Sequence, residues 1–279
     1  MQTELRKQQV QQIFDRVASA YDNPATRFFP FCADRLVNYV KPAAGSKVLD
    51  VATGTGVVAV AFAQAIGAGG RVMAVDFSSR MLDRAEANIR KMALNNVDLH
   101  EMDVERLDFR SNYFHTVVCS YGLFFLPDMP RALREWVRVL RPGGKLAFTT
   151  FEDTAFQPML DDFRARLKAY GVSIPEEPSG ARRIASLAHC RELLCDAGLV
   201  DVTAECVKIG YHLSGERDWW EVVTGTAMRA LFDQLDDDRK DAFRTEHLDR
   251  VAAWKTESGL WLDVQTRFAS AIKPEGSSD

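Results

Sequence analysis

The chain has 279 residues, 47% of them hydrophobic and 27% charged, with a formal net charge of −4 and a sequence pI of about 5.8. That is long enough to bury a full core, and it lacks the basic excess that nucleic acid demands, so no nucleic-acid partner is expected. The five cysteines form no C-x-x-C and the five histidines no H-x-x-x-H, which predicts reduced thiols in a cytoplasmic protein without a metal site.

The start, Met1-Gln2-Thr3-Glu4, is polar and predicts no signal peptide. Val10, Phe14, Val17 and Tyr21 then recur at helical spacing over residues 4–20, a helix with one apolar face. It must end near Asn23-Pro24. A second helix, about 26–39, carries Phe28, Phe29 and Phe31. Residues 47–51 have the length and β-branched content of a buried parallel strand, and a glycine turn and a helix over 56–66 follow. The alternation continues with a strand at 71–76, a helix from Ser78 or Ser79 to about Ala93, and strands at 97–102 and 113–120. Asp128 or Met129 opens a helix with Pro130 in its first turn, Pro142-Gly143-Gly144 stops it, and a fifth strand runs 145–151. Beyond residue 151 the expectation is a helix over 155–170, a loop at 174–180, a helix over 186–197 ended by Gly198, and a strand over 200–213. Two helices, 216–235 and 238–254, and a last strand, 261–272, complete the chain, with Asp236-Asp237-Asp238 capping the second helix. The longest apolar run, 57–70, is broken by Gln64 and is too short to span a bilayer.

The chemistry gathers around Val48-Leu49-Asp50-Val51-Ala52-Thr53-Gly54-Thr55-Gly56. Strand, glycine turn and helix make half a βαβ unit, and backbone without a Cβ at Gly54 and Gly56 can approach a ligand closely. Asp76 ends the next strand 20 residues past Gly56, a spacing that suits a carboxylate gripping ribose hydroxyls. Ala59 stands where a dinucleotide fingerprint places its third small residue. Asp50 would oppose a pyrophosphate but suits a cationic centre. A ligand with a ribose, no phosphates and a positive charge follows, and S-adenosylmethionine fits.

These residues resemble motif I of the class I S-adenosylmethionine-dependent methyltransferases, nearest the ubiquinone/menaquinone-biosynthesis-like small-molecule branch. Phe14-Asp15-Arg16-Val17-Ala18-Ser19-Ala20-Tyr21-Asp22 and Leu140-Arg141-Pro142-Gly143-Gly144-Lys145-Leu146 agree, so the resemblance covers about residues 10–151. It implies an α/β fold, a Rossmann-like doubly wound seven-stranded sheet with its last strand antiparallel, in a single domain over 1–279. Residues 46–151 would bind cofactor; 1–44, 152–185 and 214–258 would form cap and lid; 200–213 and 260–273 would be the final strands.

In such a sheet ligands bind beyond the carboxyl ends of the strands. The expected cofactor site is therefore Asp50, Ala52, Thr53, Gly54, Gly56, Asp76, Phe77, Met81, Val104, Ser120 and Tyr21, with Asp103 accepting from the adenine amine because the family places an acid there. Phe28, Phe29, Tyr121, Phe124, Trp219 and Met228 are candidates for acceptor contact. His189, His212 and His247 are candidate bases, with Tyr21 and Tyr121 as orienters. The expected activity is in-line methyl transfer to an O, C or N atom of a quinone, polyketide, terpenoid or other small natural product, releasing S-adenosylhomocysteine; monomer and homodimer both remain open. The rival readings are a nicotinamide-dependent oxidoreductase, which Asp50 and Ala59 disfavour, and a cofactor-binding protein without turnover. Arsenic methylation is disfavoured because only Cys190 and Cys195 lie close in sequence.

Overall fold

In the computed structural model, which describes residues 2–174 and 180–275, strand β1 (Lys47–Val51) lies near the centre of the sheet. Four of its five side chains are buried, as a strand covered on both faces requires. It pairs in parallel with β2 (Arg71–Asp76) on one side and β4 (Phe114–Ser120) on the other. Strand β3 (Val97–Glu101) extends the sheet beyond β2. Beyond β4 come β5 (Leu140–Phe151), β9 (Gln265–Ile272) and β6 (Val200–Lys208), giving the order β3-β2-β1-β4-β5-β9-β6. The final strand, β9, is antiparallel to both its neighbours.

The helices divide as a doubly wound sheet demands. Helices α2 (Phe28–Val40), α3 (Val57–Ile66) and α4 (Ser79–Lys91) pack in one row, while α5 (Met129–Val139) packs with α7 (Leu187–Asp196). The connection from β1 leads to β2 and that from β4 leads to β5, in opposite directions, so a crevice opens between the ends of β1 and β4.

Helix α1 (Gln2–Val17) buries only Val17 among its described side chains; with Ala18, Phe14, Tyr21 and Met81 it forms a small cluster apart from the main core. The remaining cap is α6 (Met159–Ala169), α8 (Glu216–Thr224), the single turn α9 (Arg229–Phe232) and α10 (Asp237–Ala252). Helix α2 is not part of the cap: it packs against α3, β5 and β9, with Phe28, Cys32, Leu36 and Val40 buried in the main core.

Several expected boundaries move for local reasons. The strand over 200–213 and the strand over 261–272 each break. Their pairing ends at Lys208 and Gln265 and resumes between β7 (Tyr211–Leu213) and β8 (Leu260–Leu262), so the ribbon leaves the main sheet. Gly210 marks the bend, where a Cβ would lie 2.7 Å from the Leu262 carbonyl and the Trp261 ring. The helix expected from 155 begins only at Met159, because Phe156 is left-handed (φ 67°) and Pro158 follows. The helix expected over 216–235 is interrupted between Thr224 and Arg229, and Asp236 precedes α10 without a side-chain capping bond. Most of the loop expected at 174–180 lies outside the described residues.

Candidate active site

The turn after β1 is built on left-handed backbone at Ala52 (φ 56°), Gly54 (φ 56°) and Gly56 (φ 80°). Ala52 carries its Cβ in a region that L-residues seldom occupy, as does Tyr121 (φ 52°) at the end of β4. Both line the crevice, and Gly122, which follows Tyr121, lies close against Ala52: a Cβ there would meet that of Ala52 at 2.8 Å.

Asp76 organises the turn. Its Oδ2 accepts the Gly54 amide at 2.8 Å and its Oδ1 the Ser78 amide at 2.9 Å. Burial pushes this carboxyl up, and the amides of Ser78, Gly54 and Phe77 pull it back. A carboxylate has about four acceptor positions, so the amides leave Asp76 acceptor capacity for a ligand hydroxyl. Ser78 caps α4 by accepting from the Met81 amide and donates its own hydroxyl to Asp15 of α1 at 2.5 Å.

Asp50 is buried, with Oδ2 accepting from the Thr53 hydroxyl at 2.5 Å and Oδ1 without a partner. Burial pushes its pKa up to about 7, opposed by the Thr53 hydroxyl and reinforced by the charge of Asp76. Below about pH 4 the group is protonated in the folded and the unfolded chain alike. As pH rises from there to about 7 the unfolded chain ionises it first, so Asp50 withdraws stability across that window. A bound cation reverses the preference. The affinity for S-adenosylmethionine is therefore expected to rise between about pH 6 and 8, and Asp50→Asn to flatten the rise. Calorimetry across that range checks it; a flat profile in the unaltered protein contradicts it.

Two adjoining clefts carry these groups. The inner one is lined by Asp50, Ala52, Thr53, Gly54, Tyr21, Phe29 and Ser120. The outer one is lined by Asp76, Phe77, Met81, Val104, Ser120, Tyr121 and, from α1, Val10, Gln11 and Phe14. The buried, partnerless Asp50 oxygen fits a cationic amino-acid end, and Asp76 fits a ribose, so the residues present suit S-adenosylmethionine. Gly56 does not line either cleft. It instead sets the contact of α3 with α4, where a Cβ would come within 3.0 Å of Ala85.

Helix α1 roofs the outer cleft through polar ties. Gln11 donates to the Phe77 carbonyl at 2.8 Å, and the Lys7 ammonium lies 2.6 Å from Asp103 and 2.7 Å from Glu105. Asp22, following α1, accepts from Thr55 at 2.6 Å and Asn88 at 2.9 Å. Asp103 does not line either cleft: one oxygen is held by Lys7 and the other accepts the Glu105 amide, although the adjoining Val104 reaches the cleft.

A larger cavity of about 350 Å³ adjoins the clefts and shares Phe14, Tyr21, Phe29, Tyr121 and Phe125 with them. Its walls are aromatic. Tyr21 stacks on Phe29 (4.6 Å between centroids), Tyr121 on Phe151 (4.0 Å), and Phe28, Phe124 and Phe156 complete the rings. Met228 lines it too. Burial pushes the phenols of Tyr21 and Tyr121 well above their ordinary range, and the Tyr121 hydroxyl is bonded to Thr266 at 2.7 Å. The cavity's carboxylates are paired: Arg267 lies 2.5 Å from Glu152 and 3.5 Å from Asp153.

Trp219 and the three histidines lie elsewhere. Trp219 is fully buried and donates its Nε1–H to His247 Nε2 at 2.9 Å; His247 Nδ1 faces Asp162 at 3.0 Å. These form a structural network between α8, α10 and α6. His189 sits in the first turn of α7, and His212 on β7 lies edge-on against Trp261 on β8; neither lines the cavity. Trp219 was an acceptor candidate from its place in the cap-like region, but place along the chain does not say which side of a helix meets a void. Sequence reading passed over Phe125, Phe151, Phe156, Arg164 and Arg182, all of which line the cavity. Phe151 was legible as the last residue of a strand whose carboxyl end faces the crevice; the arginines carried no signal.

The doubly wound sheet, with the carboxyls of Asp50 and Asp76 at its switch-point crevice, is that of a Rossmann-like S-adenosylmethionine-dependent methyltransferase. The sequence matches the ubiE/COQ5 methyltransferase family over residues 2–173, and the chain belongs to that family. It is 35% identical to the aklanonic acid methyltransferase DauC of Streptomyces sp. (strain C5), over 54% of this chain and 68% of that one. It is 28% identical to the nocamycin O-methyltransferase of Saccharothrix syringae, over 80% and 88%. It is also 33% identical to the demethylmenaquinone methyltransferase of Listeria welshimeri, over 60% and 71%. Among solved structures, a SAM-dependent methyltransferase from Aquifex aeolicus superposes with a TM-score of 0.52 at 20% identity, covering 68% of this chain and 89% of that one. The [4+2]-cyclase SpnF does so with 0.59 at 19% identity, covering 96% of both. These two likenesses establish the fold alone, and the cyclase shows that the fold by itself does not dictate the reaction.

Proposed function

We propose that the chain methylates an oxygen of a planar, multi-ring aromatic small molecule, of the quinone or polyketide type. The aromatic cavity that meets the cofactor clefts at Tyr21 carries this reading, and the relatives that act on aklanonic acid and nocamycin support it. When bound, S-adenosylmethionine supplies an activated methyl group. What the chain's own residues do is hold ring systems between stacked faces, align the acceptor atom and keep water out.

The described cavity residues include no histidine, and their acids are already paired with Arg267. The acceptor oxygen is therefore one that ionises without help, such as a hydroxyquinone, an enol or a carboxylic acid. Incubation of small-molecule extracts with protein and methyl-labelled S-adenosylmethionine, read by mass spectrometry, tests the reading. Label on an aromatic product supports it; label on protein or nucleic acid alone overturns it.

The adenine role of Asp103 belongs to the same proposal and requires Lys7 to share that carboxylate. Asp103→Ala is then expected to weaken S-adenosylmethionine and S-adenosylhomocysteine alike, since both carry the adenine. Calorimetry showing a loss confined to one of them defeats the role. The described residues contain no helix long and apolar enough to cross a membrane. A cytoplasmic, single-domain enzyme working on diffusible substrates accords with this reading.

A further inference from the structure

The cavity has one end that its aromatic walls do not explain. Arg164 of α6 and Arg182 line it beside Leu160, Gly180 and Ala181. Neither arginine forms an ion pair or hydrogen bond with a described residue, and the Arg164 Nε is buried without a partner. The two guanidinium groups are close enough to repel: burial and then the charge of Arg182 press the Arg164 group down, against the pull of Asp161. The neighbouring arginines are committed. Arg267 holds Glu152 and three main-chain carbonyls, and Arg183 donates to the carbonyls of Phe124, Leu126 and Pro127. Among the described residues, the cavity therefore presents two positive charges without a partner. None of the residues it shares with the cofactor clefts is an arginine, so the two guanidinium groups line the larger cavity and not the clefts.

Holding two cations together beside an apolar void is unfavourable unless an anion completes them. Resting on the reading of the cavity as an aromatic acceptor site, we propose that the acceptor carries a carboxylate at the end of its ring system remote from the methylated atom. Arg164 pairs with that carboxylate, and Arg182 supports it from the exposed side. A planar guanidinium matches a carboxylate through two parallel N–H···O bonds, which would set the register of the rings along the cavity as well as add affinity.

The test uses the full chain loaded with S-adenosylhomocysteine and two probes of one shape, anthraquinone-2-carboxylate and anthraquinone-2-carboxamide, titrated by calorimetry. The carboxylate is expected to bind at least about tenfold more tightly than the amide, as a charge-assisted pair contributes. Arg164→Met should bring the two probes to parity, Arg164→Lys should restore part of the difference, and Arg182→Met should reduce it severalfold. S-adenosylhomocysteine affinity, read first for each variant, should stay at the level of the unaltered protein, because neither arginine lines the cofactor clefts. Equal binding of the two probes, binding of neither, or a preference that survives Arg164→Met overturns the proposal. Failure of the unaltered protein to bind S-adenosylhomocysteine would instead overturn the cofactor reading. Were Arg164→Met not to fold, the comparison of the two probes on the unaltered protein would still decide.

Discussion

Replacing Asp76 with alanine is expected to weaken S-adenosylmethionine binding by about a hundredfold, with the sheet intact. A hydrogen bond to a charged group contributes about 1.5–3 kcal/mol, so losing the ribose acceptors alone accounts for roughly ten- to a hundredfold. The same carboxylate also receives the amides of Gly54 and Ser78, which places the loss toward the upper end. Without it the Gly54 amide loses its partner, and the turn held in left-handed backbone at Ala52 and Gly54 loses its brace. Asp76→Asn keeps one acceptor oxygen and should lose less. Calorimetry of each folded variant, checked by circular dichroism, gives the answer; an unchanged affinity in the alanine variant would remove the ribose assignment.

Deleting residues 1–23 should leave the sheet folded, abolish turnover, and weaken cofactor binding by about tenfold. The main core begins at Ala25, whereas α1 adds only the small cluster of Val17, Ala18, Phe14, Tyr21 and Met81. A segment with so few apolar contacts separates from the body without unfolding it. Yet Val10, Gln11, Phe14 and Tyr21 form the roof over the cofactor clefts, and Tyr21 joins them to the acceptor cavity. Alignment of the reacting atoms can supply about 7 kcal/mol or more of the barrier, and removing the roof forfeits much of it along with the exclusion of water. Circular dichroism reads the fold, and an S-adenosylhomocysteine-release assay with the acceptor found by labelling reads turnover. In the full chain, hydrogen-exchange protection of residues 10–22 should rise on adding S-adenosylhomocysteine. Turnover of the truncated chain at the full rate would make α1 mere packing.

The convergence of Asp50, Gly54 and Asp76 on adjoining clefts was legible because its signals are local. A buried strand shows as an apolar run, a turn that needs positive φ shows as glycine, and an acid at a strand end shows by its distance from that turn. Asp50, Gly54 and Asp76 meet within one strand–turn–helix–strand unit, and few residues separate them. Val10, Phe14, Val17 and Tyr21 likewise announced an amphipathic helix, since a helical face repeats within two turns. Even here Gly56, expected as a ligand contact, lines neither cleft and packs against Ala85.

The acceptor cavity was legible only in part: Phe28, Phe29, Tyr121, Phe124 and Met228 were expected there and line it, but its closure and its other walls were decided by tertiary structure. Phe14, Phe29, Tyr121, Phe151, Arg164 and Met228 come from separate elements that converge only when the chain folds, and no spacing records that convergence. The same distance misplaced Trp219 and His247, which face each other inside the cap rather than the cavity. The break at Gly210 also depends on a segment some fifty residues away, which closes on that glycine's Cα and leaves no room for a side chain. Periodicity reports which elements form and which faces are apolar, because hydrogen-bond geometry and backbone strain act within a few residues. Which apolar face meets another and which borders a void is set by packing between distant segments, and that alone placed the aromatic walls and the two uncommitted arginines together.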